Sequence, residues 1–293
     1  MILFSGTSNL PLAEKIAKKL GTKLGSVEIK RFLDLECRVW IKENVAGKDV
    51  YILQSLSTVA DQNLMELCLM GNAVLGLGAK SITSIIPWLG YSKQDKEFRK
   101  GEAVSSQLVA KFIESANFSK VITLELHSEL IKKYFSIPIL ELSTKKILAD
   151  SIDNFQSYIV ISPDKGGINR SDAFAKYLNL PISYLDKARD LSSGEVKILG
   201  IDKDIKNKKA VIFDDMINTG STAVETARFL KNQGIKKIIF LATHAILSGE
   251  ASKRLQESAI DEVVVSDTIF IPKEKIFPKL KIISVSDLIA GSM

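Results

Sequence analysis

Cysteine is scarce in this chain: Cys37 and Cys68 are the only two in 293 residues. Two thiols cannot build a disulfide framework or a four-ligand zinc site, and a reducing compartment is their natural setting. Long apolar runs are missing too. No stretch of about 18 apolar residues occurs, and the opening MILFSGTSNLPLAEKIAKKL has too short an apolar segment for a signal peptide. A cytoplasmic protein without membrane partners is therefore expected. Lys and Arg are spread along the chain with no basic tail, which disfavours nucleic acid as a partner. Low-complexity segments are absent. So is any G-x-x-x-x-G-K-S/T sequence, which disfavours a P-loop kinase.

What is present is an ordinary globular composition, 46% hydrophobic and 25% charged. A chain of this length forms one or two domains and buries a sizeable core without metal or disulfide staples. The net charge of +6 suits an anionic partner, and phosphorylated small molecules qualify.

Short apolar runs alternate with amphipathic stretches. MILFS, DVYILQS, ITSIIPW and VITLEL read as strands. LPLAEKIAKKLG, DQNLMELCLMGNAVLGLG (with Asp61 as its cap) and AVSSQLVAKFIESA read as helices. After Pro138 the alternation resumes through YIVIS, DAFAKYLN, ISYLD, VKILG, AVIF, TAVETARFLKNQG, IIFLAT, VVVS and KIISVS. Continuous apolar strands between helices imply parallel sheets covered on both faces, an α/β fold. GKDVYILQS, a helix and GAKSITSIIP echo KKAVIFDDM, a helix and GIKKIIFLAT. The echo suggests two similar domains in tandem, 1–140 and 141–293, with the last helix packing back on the first.

The strongest local signal is AVIFDDMINTGST, residues 210–222. A strand delivers Asp214 and Asp215 at its carboxyl end, where open α/β sheets bind ligands. The following Thr-Gly-Ser-Thr turn offers amides and hydroxyls to a phosphate at the positive end of a helix. Adjacent carboxylates can hold vicinal ribose hydroxyls or assist a metal. A strand-capping Asp pair before an N-capped helix is the bland alternative. In RFLDLE the side chains of Phe32, Asp34 and Glu36 share one face if the segment is extended, so a ring could stack on a base while carboxylates accept hydrogen bonds. An alternating surface strand fits equally. His127 ends an apolar strand, as many merely satisfied histidines do. Asp164 precedes Gly166-Gly167, which permits close backbone approach to phosphate, although a Pro-Asp turn also explains it. Lys187 and Arg189 precede the polar DLSSGE stretch and could share one face of a mobile flap, or lie in a solvated loop.

The 210–222 motif resembles the phosphoribosyl-diphosphate signature of the type I phosphoribosyltransferase fold. RFLDLE, QSLSTVADQNLMELCLM, IIPWLGYSKQD, TLELHS, SPDKGGINRSDAFA, DKARD and ATHAILSGEA each resemble a segment of the ribose-phosphate pyrophosphokinases, in family order and over nearly the whole chain. The resemblance implies two tandem phosphoribosyltransferase-like domains. It also implies transfer of the β,γ-diphosphate of ATP to ribose 5-phosphate with Mg2+. Phe32, Asp34, Leu35 and Glu36 would serve the ATP site, reaching into a neighbouring subunit's site, and Lys93 and Gln94 would complete it. His127 and Asp164 would lie at the metal. Lys187 and Arg189 would be catalytic. Arg189, Asp214, Asp215, Asn218, Thr219, Gly220, Ser221 and Thr222 would bind ribose 5-phosphate. A homo-oligomer built from dimers, grouped into hexamers, is implied as well.

Several positions depart from the family pattern: Leu35, Lys93 for a frequent Arg, Glu125 for Asp, Asn218 for Asp, and Ser221 for a small residue. They leave open a non-catalytic homologue that binds nucleotides or partner subunits. A base phosphoribosyltransferase, which would share the 210–222 motif alone, is a third reading. The family's ADP inhibition draws on a C-terminal tail. The sequence stops at SDLIAGSM soon after KIISVS, so ADP is expected to act mainly by competing with ATP.

Overall fold

The computed structural model describes residues 1–163, 168–189, 196–206 and 208–293, with backbone alone for residues 187–189, 196, 197 and 199. The chain forms two compact units. One comprises Met1–Ser143, Thr268–Phe270 and Ser284–Met293, and the other Thr144–Asp267 and Ile271–Ile283.

The first unit runs β1 (Ile2–Ser5), α1 (Leu10–Lys19), β2 (Val27–Arg31), β3 (Cys37–Ile41), β4 (Asp49–Leu53), α2 (Ala60–Gly76), β5 (Ser81–Ile86), α3 (Ser105–Ser115), β6 (Lys120–Leu124) and β7 (Ile139–Leu142). Five strands form a parallel sheet in the order β1-β4-β5-β6-β7. Leu64, Leu67, Met70 and Val74 of α2 join Val109 and Ile113 of α3 over Val50, Ile52, Ile82 and Ile86 of the sheet. Helix α1 buries Leu12, Ala13, Ile16 and Ala17, the face that the 3.6-residue period selects. Asp61 is not the cap of α2. Val59 holds that position with φ 64° and no side-chain cap, and Asp61 sits in the first turn, where its charge still complements the helix dipole.

The second unit runs α4 (Lys145–Ala149), β8 (Tyr158–Ser162), α5 (Ile168–Leu178), β9 (Ile182–Arg189), β10 (Val196–Ile201), β11 (Lys209–Ile217), α6 (Ser221–Asn232), β12 (Lys237–Ala245), α7 (Ala251–Glu257), β13 (Glu262–Ser266) and β14 (Leu280–Ile283). The chain then returns to the first unit as α8 (Ser286–Ala290), which packs on α1 with Lys19 Nζ 2.7 Å from Asp287. The sheet order is β10-β9-β8-β11-β12-β13-β14, and only the β9–β10 pair is antiparallel. Alternate residues of each strand feed two cores. Ile159, Ile161, Ala210, Ile212, Ile238 and Phe240 meet α6 and α7. Tyr158, Val160, Val211, Phe213, Ile239 and Leu241 meet α4 and α5. This double burial is why the strands read as unbroken apolar runs.

Strands β8-β11-β12-β13-β14 repeat the order β1-β4-β5-β6-β7, and the sequence echo falls on matching elements, β4-α2-β5 and β11-α6-β12. In both units an antiparallel pair, β2–β3 or β9–β10, occupies the slot between the first helix of the repeat and its second strand.

The start of the β9–β10 pair is tied by Asp202, whose Oδ1 accepts from the Ser183 hydroxyl and from Tyr184 N at 2.9 Å. Burial raises the Asp202 pKa, but the hydrogen bonds from Ser183 and Tyr184 outweigh it, so the group is held below its usual value of 3.8. A folded pKa below the unfolded one contributes stability above the unfolded pKa and loses it as pH falls through the folded pKa. Asp202→Asn should therefore flatten the acid limb of a stability–pH curve below 3.8. An unchanged acid limb would show that this carboxylate does not hold the pair.

Candidate functional site

The second sheet carries an open site at its carboxyl edge. Residues 210 and 212 face α6 while 211 and 213 face α5. Continued past the core, that alternation separates the two aspartates. Asp214 lines a cavity of about 170 Å3 together with loop residues 218–222 and Phe240. Asp215 is 2% exposed and does not line it. Arg170 of α5 bridges the pair, with Nη1 3.0 Å from Asp214 Oδ1 and 3.0 Å from Asp215 Oδ1. Asp214 Oδ1 also accepts from the Asp215 amide at 2.9 Å. The pair is thus held at fixed geometry by one guanidinium, and the more exposed carboxylate is offered to the cavity.

Beyond β11, Gly220 caps α6 with φ 76°, a conformation that costs glycine nothing and most residues a good deal. The first amides of α6 have no acceptor within the helix, and the Thr219 and Ser221 hydroxyls lie 3.3 Å apart beside them. Donors, a helix dipole and a carboxylate acceptor therefore line one small cavity. It is smaller than a typical small-molecule pocket of about 300–1,000 Å3, so it fits one end of a ligand. Such a lining has the chemistry to take a phosphate beside hydroxyl groups.

At the matching strand end of the first unit, after β4, the corresponding side chains are occupied internally. In the echo Gln54 and Ser55 align with Asp214 and Asp215, and both are fully buried. Gln54 Oε1 accepts from Ser8 N and Ser8 Oγ, and Gln54 Nε2 donates to Glu66 at 2.7 Å. Glu66 also accepts from Thr7 N at 2.7 Å, and Ser55 Oγ donates to the Thr268 carbonyl. Internal side chains consume the groups that a sugar would need, so this arrangement is open once per chain among the described residues.

The other sequence-derived residues fall as follows. Residues 32–36 are not extended: they form the tip of the β2–β3 hairpin. Leu35 N donates to the Phe32 carbonyl, Phe32 N donates to the Glu36 carbonyl, and Leu35 has φ 72°. Asp34 Oδ1 accepts from the Glu36 amide at 3.1 Å. The hairpin register forces this tight turn, and it leaves Phe32 54% exposed and Leu35 65% exposed. Lys93 and Gln94 follow β5, and His127 follows β6, so all three lie past the carboxyl ends of neighbouring strands. Lys93 is exposed. Gln94 Oε1 accepts from the Ser105 hydroxyl at 2.7 Å, holding the start of α3. The Tyr134 hydroxyl donates to the Asp95 carbonyl at 2.5 Å, linking the Lys93 loop to the turn after His127. The half-buried His127 sits on a segment fixed by Leu126 N donating to Glu141 and by Ser143 Oγ donating to Glu125, whose φ is 34°.

Lys187 and Arg189 lie on β9, paired with Ile198 and Val196. Their side chains, Asp164, the Gly166-Gly167 pair and the DLSSGE stretch lie outside the described residues. His244 is fully buried on β12. Burial pushes the Cys68 thiol up to about 11, which removes it as a nucleophile at neutral pH. Sequence reasoning missed Arg170 and Arg254, which contact the aspartates and the loop across sequence gaps of 44 and 35 residues. Arg170 lies within SPDKGGINRSDAFA, the one signal that could have drawn notice to it.

Among the described residues, no three His, Cys, Asp or Glu side chains gather as a metal cage, and no helix is long and apolar enough to cross a membrane. Magnesium is ordinarily held by one or two carboxylates together with substrate phosphates, which needs no such cage.

Two largely parallel sheets that share a strand order, one of them ending in an acidic pair and a glycine-capped helix start, define a tandem type I phosphoribosyltransferase fold. Residues 1–116 match the N-terminal domain of ribose phosphate pyrophosphokinase, and residues 180–293 match the phosphoribosyl synthetase-associated domain. Ribose-phosphate pyrophosphokinase 1 of Streptococcus pyogenes is 36% identical, with 99% of this chain and 92% of that protein covered. Ribose-phosphate pyrophosphokinase of Caldanaerobacter subterraneus is 39% identical, with 99% and 93% covered. The crystal structure of phosphoribosylpyrophosphate synthetase from Mycobacterium smegmatis superposes with a TM-score of 0.93 at 32% identity, covering 99% of this chain and 96% of that one. The chain belongs to the ribose-phosphate pyrophosphokinase family.

Proposed function

We propose that the chain catalyses transfer of the β,γ-diphosphate of ATP to the anomeric hydroxyl of ribose 5-phosphate, giving phosphoribosyl diphosphate and AMP. The observation that carries this reading is the single cavity joining Asp214 to the 218–222 loop. The 5-phosphate sits on the loop at the N-terminus of α6, and Asp214 accepts from the ribose hydroxyls. Asp215 acts through Arg170, which it helps to hold in place. Lys93 and Gln94 take the nucleotide, and the Phe32, Asp34 and Glu36 hairpin tip completes the ATP site of a second copy.

The anomeric oxygen attacks the β-phosphorus in line, the bond from that phosphorus to the α,β-bridging oxygen breaks, and the hydroxyl proton is lost. Such transfers need positioning and charge neutralisation more than covalent help. Lys187 and Arg189 supply positive charge to the transferring group. Mg2+, held through the nucleotide phosphates with His127 and Asp164 beside it, would add further positive charge there.

Incubation with MgATP and ribose 5-phosphate should yield AMP and phosphoribosyl diphosphate in equal amounts. A lack of product with intact nucleotide binding would favour the non-catalytic reading. Asn218→Asp should match or exceed the parent in kcat/KM for ribose 5-phosphate, because a carboxylate accepts from a hydroxyl more strongly than an amide. A collapse in activity would show that the loop is arranged around the neutral amide. A monomer that is fully active by light scattering at assay concentration would refute the shared ATP site and the proposed homo-oligomer.

A further inference from the structure

Helix α7 grips the outer side of the 218–222 loop. Arg254 Nη1 donates to the Thr219 carbonyl at 2.5 Å and to Ser221 Oγ at 3.2 Å. The next residue, Leu255, is fully buried, and its Cγ would stand 3.2 Å from a Cβ added at Gly220. One peptide earlier, the Asn218 carbonyl accepts from Ser248 N at 3.0 Å. Two consecutive carbonyls of the loop are therefore turned toward residues 248 and 254. A trans peptide points its C=O and N–H in opposite directions, so the amides of Thr219 and Gly220 face the other way. The cavity is lined by residues 218–222 but by neither Ser248 nor Arg254.

We propose that Arg254 is a positioning residue for the sugar's 5-phosphate. It latches the Thr219–Gly220 peptide so that the Gly220 amide donates into the cavity, and it brings a fixed positive charge to the outer side of the loop. The latch is needed because of the glycine. Gly220 adopts φ 76° without a Cβ, and glycine crosses readily to negative φ. A flip of this peptide would replace a donor with a carbonyl oxygen facing the phosphate. The Leu255 contact restrains the Gly220 backbone but makes no hydrogen bond to the peptide. The guanidinium is what sets its direction. The inference rests on the reading that this loop holds the 5-phosphate of ribose 5-phosphate.

The test compares Arg254→Met and Arg254→Lys with Thr222→Val, a change on the cavity side of the loop. Arg254→Met should raise KM for ribose 5-phosphate about tenfold, the loss of one charged hydrogen bond. KM for ATP and the melting temperature should stay unchanged, because Arg254 is exposed. Arg254→Lys should recover part of the loss, since an ammonium reaches either acceptor but lacks the planar fork. If Thr222→Val raises KM for ribose 5-phosphate and Arg254→Met does not, the latch is overturned while the loop reading stands. If neither variant moves that constant, the loop reading falls and the latch with it. A parallel change in both KM values or in melting temperature would mark Arg254 as merely structural and overturn the proposal.

Discussion

Lys187→Ala is expected to lower kcat by roughly a hundred- to a thousandfold, the usual result of removing one preorganised charge from a transition state. KM for both substrates should change far less. The reason is where charge moves. As the anomeric oxygen attacks, negative charge spreads over the transferring group and the departing bridging oxygen. A cation aimed there therefore acts more strongly in the transition state than in the ground state. Lys187 lies on β9, the strand that continues the sheet beyond β8, and its backbone position is set by pairing with Ile198. Single-turnover rates at saturating ATP and ribose 5-phosphate would isolate the chemical step. A near-normal rate would remove Lys187 from catalysis and leave Arg189 as the remaining cation of that strand.

Arg170→Met should cost both stability and sugar binding. The guanidinium lies 3.0 Å from each of two adjacent carboxylates, and the Asp215 side chain is 2% exposed. Methionine preserves much of the apolar stem and removes the charge. Breaking a buried ion pair from one side costs about 3–5 kcal/mol where nothing else compensates, and other polar neighbours of the aspartates would reduce that figure. The two carboxylates would also repel each other once the bridging cation is gone, which should disturb the placement of Asp214 at the cavity. Adding Asp215→Asn to Arg170→Met removes the repulsion and should recover much of the lost stability. A double-mutant cycle on denaturant unfolding reads the coupling directly. Independent, additive effects would show that Arg170 does not hold the pair.

The α/β class and most of the element order were legible from the chain alone, because strands buried on both faces must be apolar throughout. Residues 158–161 and 210–213 are of this kind. The β2–β3 hairpin was not legible. Its residues Val27–Arg31 are only partly buried or exposed, so no apolar run announces them, and local spacing suggested an extended 32–36 segment where the hairpin register demands a turn. The same limit applied to the cap of α2. Asp61 has the chemistry of a cap, but the backbone enters the helix two residues earlier, through Val59 in a left-handed conformation.

By itself the sequence determined that an acidic pair and a Thr-Gly-Ser-Thr turn follow an apolar strand, since carboxylates, glycine and hydroxyls within 214–222 are local and need no partner to be recognised. Only the tertiary structure decided what each group faces. Strand alternation at the sheet edge sends Asp214 to the cavity and Asp215 to Arg170. Packing of α7 brings Arg254 to the Thr219 carbonyl. In the first unit Glu66 and Ser8 close around Gln54. Each of these contacts joins residues far apart in the chain, and a spacing pattern cannot encode the direction in which a side chain or a peptide carbonyl finally points.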